Sequence, residues 1–155
     1  MSRKTIYFIA LFFVALALGP ALAHLLELPN KINLTREEYL VVQQIYRGWA
    51  LLGFVVAGAL LSTLALAVKV RHERKAFVFA LIGFICIVGT QVIFWTYTFP
   101  ANQVTNNWTM LPENWRELRR QWEFSHATSA GLNMVALVAV ILSLLVKRKW
   151  NESAT

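Results

Sequence analysis

The chain has 155 residues, 57% of them hydrophobic and only 15% charged, with mean hydropathy +0.52. That balance excludes an ordinary soluble domain and points to a membrane protein. The formal charge of +7 gathers at one end of the expected topology, which speaks for orientation in a bilayer and contact with anionic lipid, not for a nucleic-acid partner.

Four apolar stretches stand out, Ile6–Leu22, Ala50–Val68, Ala76–Phe99 and Ala127–Val146. Each is long enough to cross about 30 Å of hydrocarbon at about 1.5 Å per residue. With their flanks they predict helices over about 6–28, 36–68, 76–99 and 113–146. The expected fold is all-α, an integral membrane four-helix bundle forming a single domain over 1–155. Arg3, Lys4, Lys69, Arg71, Arg74, Lys75, Lys147, Arg148 and Lys149 fall on one side against Glu73 and Glu152. Lys31, Arg36, Arg47, Arg116, Arg119 and Arg120 on the other side are balanced by Glu27, Glu37, Glu38, Glu113, Glu117 and Glu123. The positive-inside rule then makes both termini cytoplasmic, and a multi-pass chain of a plasma or inner membrane is expected. The single Cys86 excludes an intramolecular disulfide.

The first stretch has two readings. Arg3-Lys4, the apolar run and Pro20-Ala21-Leu22-Ala23 resemble a secretory signal with cleavage after Ala23, which would leave His24 as a copper-chelating N-terminus. Apolar residues continue through Leu25, Leu26 and Leu28, which favours a retained helix, kinked at Pro20. Pro29–Leu34 reads as an outer loop. Thr35-Arg36-Glu37-Glu38 reads as a capping box, with Leu34 and Tyr39 as its hydrophobic staple. The helix that follows is too long for the membrane, so Tyr39, Gln43, Gln44 and Arg47 are expected to project from the outer face or lie in the interface. Farther along, Gly58 and Ser62 permit close helix contact. In the third helix Gln91, Trp95 and Thr98 share one face, and Pro100 is expected to end it. Pro112 suits the first turn of the last helix, and Lys147–Lys149 its cytoplasmic anchor. Two glycosylation sequons, at Asn33 and Asn107, are short and common, and His72 reads as solvated.

Two segments mirror each other. His24-Leu25-Leu26-Glu27 closes the first helix and Glu123-Phe124-Ser125-His126 enters the last, each with Glu and His three apart on one helical face. His24 is 18 residues from Ile6, about 27 Å, and His126 is 20 residues from Val146, about 30 Å. Similar counts bring Arg47, Trp49, Trp95 and Thr98 to the same outer level, with Gln91 a turn deeper. One reading is structural: an aromatic belt, with Glu27 and Glu123 paired to Arg47, Arg116 or Arg119. A second is a mononuclear iron, copper or zinc site held by His24, Glu27, Glu123 and His126. A full di-iron set is disfavoured because the other two helices offer Gln43, Gln44, Arg47 and Gln91 instead of carboxylates. Haem between His24 and His126 is a further alternative. The metal-free reading has His24 or His126 as general base and Arg47 or Arg119 stabilising an anionic oxygen.

Pro100-Ala101-Asn102 after the third helix, Trp115, and Trp122-Glu123-Phe124-Ser125-His126 at the start of the fourth resemble the anthrone-oxygenase-like family of small four-helix membrane proteins. The resemblance implies an oxygenase-like oxidoreductase that uses dioxygen on a small, flat, lipophilic aromatic. Under that implication Trp49, Trp95, Trp122, Gln91 and Asn102 are the expected substrate-binding residues. The rival expectation is a non-enzymatic membrane subunit or binding module whose His/Glu/Arg cluster only holds the bundle together.

Overall fold

A computed structural model describes residues 1–146. The expected anchor Lys147–Lys149, with Trp150 and Glu152, lies outside the described residues. The chain folds into helices α1 (Arg3–Lys31), α2 (Arg36–Gln43), α3 (Leu52–Lys69), α4 (Arg74–Ile93), α5 (Phe99–Val104) and α6 (Trp115–Leu145). Among the described residues there is no strand. Four spans, Arg3–Lys31, Trp49–Lys69, Arg74–Val104 and Trp115–Leu145, are long and apolar enough to cross a membrane. The all-α four-helix expectation therefore holds, but the helix limits differ at every span.

The first helix is longer than 6–28. Ser2 caps it by accepting from the Thr5 amide at 3.1 Å, and it runs unbroken through Pro20 and Pro29 to Lys31. A proline removes one amide donor, yet the Ile32 amide still bonds the Leu28 carbonyl and closes the last turn. The outer loop thus starts three residues later than expected, and Lys31 becomes helical.

The second helix is not one rod. The capping box forms, with Thr35 accepting from the Glu38 amide and the Glu38 carboxylate accepting from the Thr35 amide at 2.9 Å. Those bonds hold the Glu38 carboxyl below the usual carboxylate range. After Gln43 the chain tightens into a 3-10 turn at Gln44–Tyr46, and Gly48 takes a left-handed φ of +89°. Glycine adopts that conformation without the Cβ clash that other residues meet. A second 3-10 turn, Trp49–Leu51, leads into α3. Tyr39 and Gln43 are consequently buried. Of the two expected placements they do not take the projecting one, because the bend folds α2 back over the end of the bundle.

Pro100 does not end the third helix. A π turn at Phe94–Thr98 precedes it, with the Phe99 amide bonding the Phe94 carbonyl five residues back. The wider turn accommodates the missing proline donor, and α5 continues to Val104. The loop that follows holds Asn106, Asn107 and Trp108 at φ 46°, 54° and 60°. The last helix starts at Trp115, three residues after Pro112.

The long helices form a ring in which α1 and α4 each pack on α3 and α6. At the end carrying the N-terminus, Tyr7 donates to the Ser143 carbonyl at 2.9 Å, Ser143 Oγ donates to the Ala76 carbonyl at 2.8 Å, and Arg3 pairs with Glu73. Small residues set the spacing midway: a Cβ on Gly58 would lie 2.4 Å from the Phe13 ring. Ser62, its expected partner, is buried and donates to the Ala59 carbonyl. The opposite end is built around Tyr39, Trp108, Trp115 and Trp122.

Candidate functional site

Continuous helical rise through α1 and α6 brings His24 and His126 face to face. Their rings stack at 4.1 Å between centroids, 27° from parallel. Trp122, one turn before His126 on α6, packs edge-on against both, at 5.0 Å from His24 and 4.2 Å from His126. Tyr46 and Trp49, from either side of the Gly48 bend, close the box at 4.6 and 5.5 Å from His24. His24 Nδ1 and His126 Nε2 are shielded from solvent and have no hydrogen-bond partner. A buried, unpartnered polar atom costs about 1–3 kcal/mol.

Beside this box lies a network centred on Lys31. Its ammonium meets Glu123 Oε1 at 3.0 Å and the Tyr46 hydroxyl at 2.8 Å, with Glu27 at 3.6 Å. It also sits 4.6 Å from the Tyr46 ring centre and 5.0 Å from that of Trp122. Glu123 is fully buried and accepts a second bond from the Tyr39 hydroxyl at 3.0 Å. Gln43 donates to Tyr39, and Tyr46 donates to Glu27. Burial, then the Glu123 charge, raises the Tyr39 phenol well above its ordinary value. Burial, then the bond to Glu27, does the same to Tyr46. Both phenols therefore remain proton donors at neutral pH. Glu123 Oε2 and Gln43 Oε1 are left without partners.

The carboxylates thus pair with Lys31, not with Arg47, Arg116 or Arg119. Arg47 is exposed and bonds Gln44 Oε1 at 3.1 Å, because the Gly48 bend turns it away from the box. Arg119 is buried but donates to the Leu34 carbonyl at 2.7 Å and packs on Tyr39 and Trp115. Neither arginine is placed to stabilise an anion at the histidines. Trp95 is 60% exposed, with its ring edge-on to Phe94 and tilted against Phe99. Gln91 bonds its neighbour Thr90, while Thr98 pairs with Ser125 at 2.7 Å. The π turn adds a residue between Gln91 and Thr98 and breaks the shared face expected from a regular helix. Asn102 positions two indoles, since its Oδ1 accepts from Trp108 Nε1 at 3.0 Å and from Trp122 Nε1 at 2.8 Å.

The four residues expected as metal ligands do not converge in this arrangement. Among the described residues, no group of three or more His, Cys, Asp or Glu side chains is placed to hold a metal ion. Glu27 and Glu123 are directed at Tyr46, Lys31 and Tyr39. Two imidazoles sharing a tetrahedral metal at about 2.0–2.1 Å keep their ring centres roughly 5 Å apart and edge-on, whereas these stack at 4.1 Å. The same stacking leaves no gap for a porphyrin between the rings.

Sequence reasoning missed Lys31, Tyr39 and Tyr46 as site residues. The signal for Lys31 was its i+4 spacing from Glu27. An open groove of about 440 Å³ lies along α6 and the π turn, between Tyr97 and Phe124, with Arg120 and Ser125 in its wall. None of the expected site residues lines it. No family model, curated protein or solved structure matches this chain.

Proposed function

We propose that the chain is a multi-pass membrane oxidoreductase of the oxygenase type, acting on a small, flat, lipophilic aromatic with the His24–His126 pair as its base. The basic end faces the cytoplasm of a plasma or inner membrane, and the site lies near the outer face. The observation that carries this reading is the stacked imidazole pair, shielded by Trp49, Trp122 and Tyr46, with one ring nitrogen of each histidine unpartnered. A cluster built only to hold helices together satisfies its buried polar atoms.

The reaction is the one that the resemblance to the anthrone-oxygenase-like family implies, and the residues supply its base. A neutral imidazole nitrogen within about 2.6–3.2 Å of an acidic C–H takes its proton. An activated methylene between two aryl rings is then oxidised by dioxygen: one CH₂ and one O₂ give one C=O and one H₂O. The aromatic walls favour a flat, apolar substrate. Trp122, held by Asn102, fixes the imidazoles against one wall.

The second reading is a non-enzymatic membrane subunit, and the Lys31–Glu123–Tyr39 contacts favour it, since they join α1, α2 and α6. The two readings separate in the full-length protein in lipid nanodiscs, supplied with anthrone and dioxygen. The oxygenase reading expects one O₂ consumed per ketone formed, and a fall of about 10²-fold or more in His126→Gln. A correctly folded protein that neither binds anthrone nor consumes oxygen would leave the structural reading.

A further inference from the structure

The bonds around Lys31 form a line from water to the buried interior. Glu27 keeps 37% of its side chain exposed, Lys31 4% and Glu123 none. Tyr46 joins the first two, donating to Glu27 and accepting from Lys31. Lys31 in turn donates to Glu123 at 3.0 Å. The bonds do not stop at the buried Lys31–Glu123 pair but continue through Tyr46 to a solvent-facing carboxylate. Two carboxylates flank one ammonium, so the group carries one negative charge and has room for one further proton.

We propose that Glu27, Tyr46, Lys31 and Glu123 form a proton relay between water at the site end and the buried Glu123 carboxyl, with Glu27 as its port. Inward transfer starts at Lys31, whose nitrogen has no lone pair until it has given a proton to Glu123 Oε1. The neutral amine then turns to the Tyr46 hydroxyl and takes its proton as protonated Glu27 gives its own to the Tyr46 oxygen. Three O–H or N–H bonds break and three form; Glu27 ends as a carboxylate, Glu123 as a carboxylic acid, and Tyr46 and Lys31 are unchanged. No free tyrosinate is formed, which suits a phenol that burial and Glu27 hold protonated. Outward transfer is the reverse. Tyr39, donating to Glu123, and Gln43, donating to Tyr39, flank the inner end. Arg119 stands behind Tyr39, 5.3 Å from its ring centre, and His24 packs on the Tyr46 ring. Glu123 Oε2, unpartnered and one helical turn before His126, is the inner terminal.

The purpose of the relay, to renew the protonation state of the base, rests on the function proposed above, but conduction is measured without substrate. Full-length protein in nanodiscs is taken through a rapid pH drop while infrared absorption follows the carbonyl stretch of protonated Glu123, identified by its loss in Glu123→Gln. Tyr46→Phe and Glu27→Gln are expected to slow the rise of this band by about 10²-fold, and Glu27→Asp to restore part of the rate. Unaltered kinetics in Tyr46→Phe and Glu27→Gln would overturn the relay, and so would a Glu123 that never takes a proton. If Tyr46→Phe does not fold, Glu27→Gln decides, because it keeps the side chain's shape. A protein that conducts protons but never oxidises anthrone refutes the oxygenase reading alone; one that oxidises anthrone with unaltered Glu123 kinetics refutes the relay alone.

Discussion

The two ends of the bundle use polar residues differently. At the basic end Tyr7 and Ser143 share their hydrogen bonds with a backbone carbonyl on α6 and another on α4, and Arg3 meets Glu73 at a half-exposed position. There Arg3 Nε is the one shielded side-chain atom without a partner among the described residues. At the site end a fully buried carboxylate, a 3%-exposed lysine, two phenols and two imidazoles crowd together, and among the described residues five polar atoms, of His24, Gln43, Arg119, Glu123 and His126, lack partners. The basic end is built for stability. The site end gives up stability, which is the mark of a place where polar groups are kept available.

Breaking the ion pair at each end gives the largest contrast. Lys31→Met strands the Glu123 carboxylate and is expected to cost about 3–5 kcal/mol. Arg3→Met at the half-exposed pair is expected to cost about 0–1 kcal/mol. Unfolding of both variants in matched detergent measures the difference, and equal losses would erase the distinction between the ends. The double change Lys31→Met with Glu123→Leu is expected to recover most of the lost stability, because both charges leave together. Midway between the ends, Gly58→Ala forces the Phe13 ring to shift. A loss of about 1–3 kcal/mol is expected, partly recovered by Phe13→Leu, with no effect on the site end.

The legible part of the site follows where helices are unbroken. Counting about 1.5 Å per residue works on α1 and α6, so the meeting of His24 and His126 is foreseeable from spacing alone. The count fails where the backbone departs from the regular helix. The Gly48 bend releases Arg47 to solvent and buries Tyr39, and the π turn before Pro100 separates Gln91 and Trp95 from the site. Lys31 is hidden by Pro29, which reads as a loop signal although the helix passes through it. Glu123 therefore has a cation that the sequence places outside the bundle. Asn102 stands out only through its neighbours in the sequence; its grip on two tryptophan N–H groups depends on the left-handed turn at Asn106–Trp108.

Smaller effects bear on single groups. Removal of trace metal with a chelator is expected to leave anthrone oxidation unaltered, since the Glu carboxylates are directed at Lys31 and the phenols; loss of activity restored by one metal would contradict the donor geometry. The smallest effect belongs to the α2 cap. The Glu38 carboxyl lies below its ordinary value of about 4.3. Its contribution is complete above that unfolded value and disappears as pH falls through the lower folded one. Carbon-detected NMR titration of Glu38 checks this by the position of its midpoint, and a midpoint at or above the ordinary value would contradict the capping bonds.

A histidine pair kept for chemistry at a cost in stability is tested most directly by His126→Phe, which keeps a ring in the stack and deletes both nitrogens. Unfolding and oxygen uptake are measured on the same preparation. The expected result is stability unchanged or raised, by up to about 1–3 kcal/mol for a removed orphan nitrogen, together with loss of anthrone oxidation. A clear fall in stability with oxygen uptake unaffected would contradict that role and make the imidazole pair a structural element.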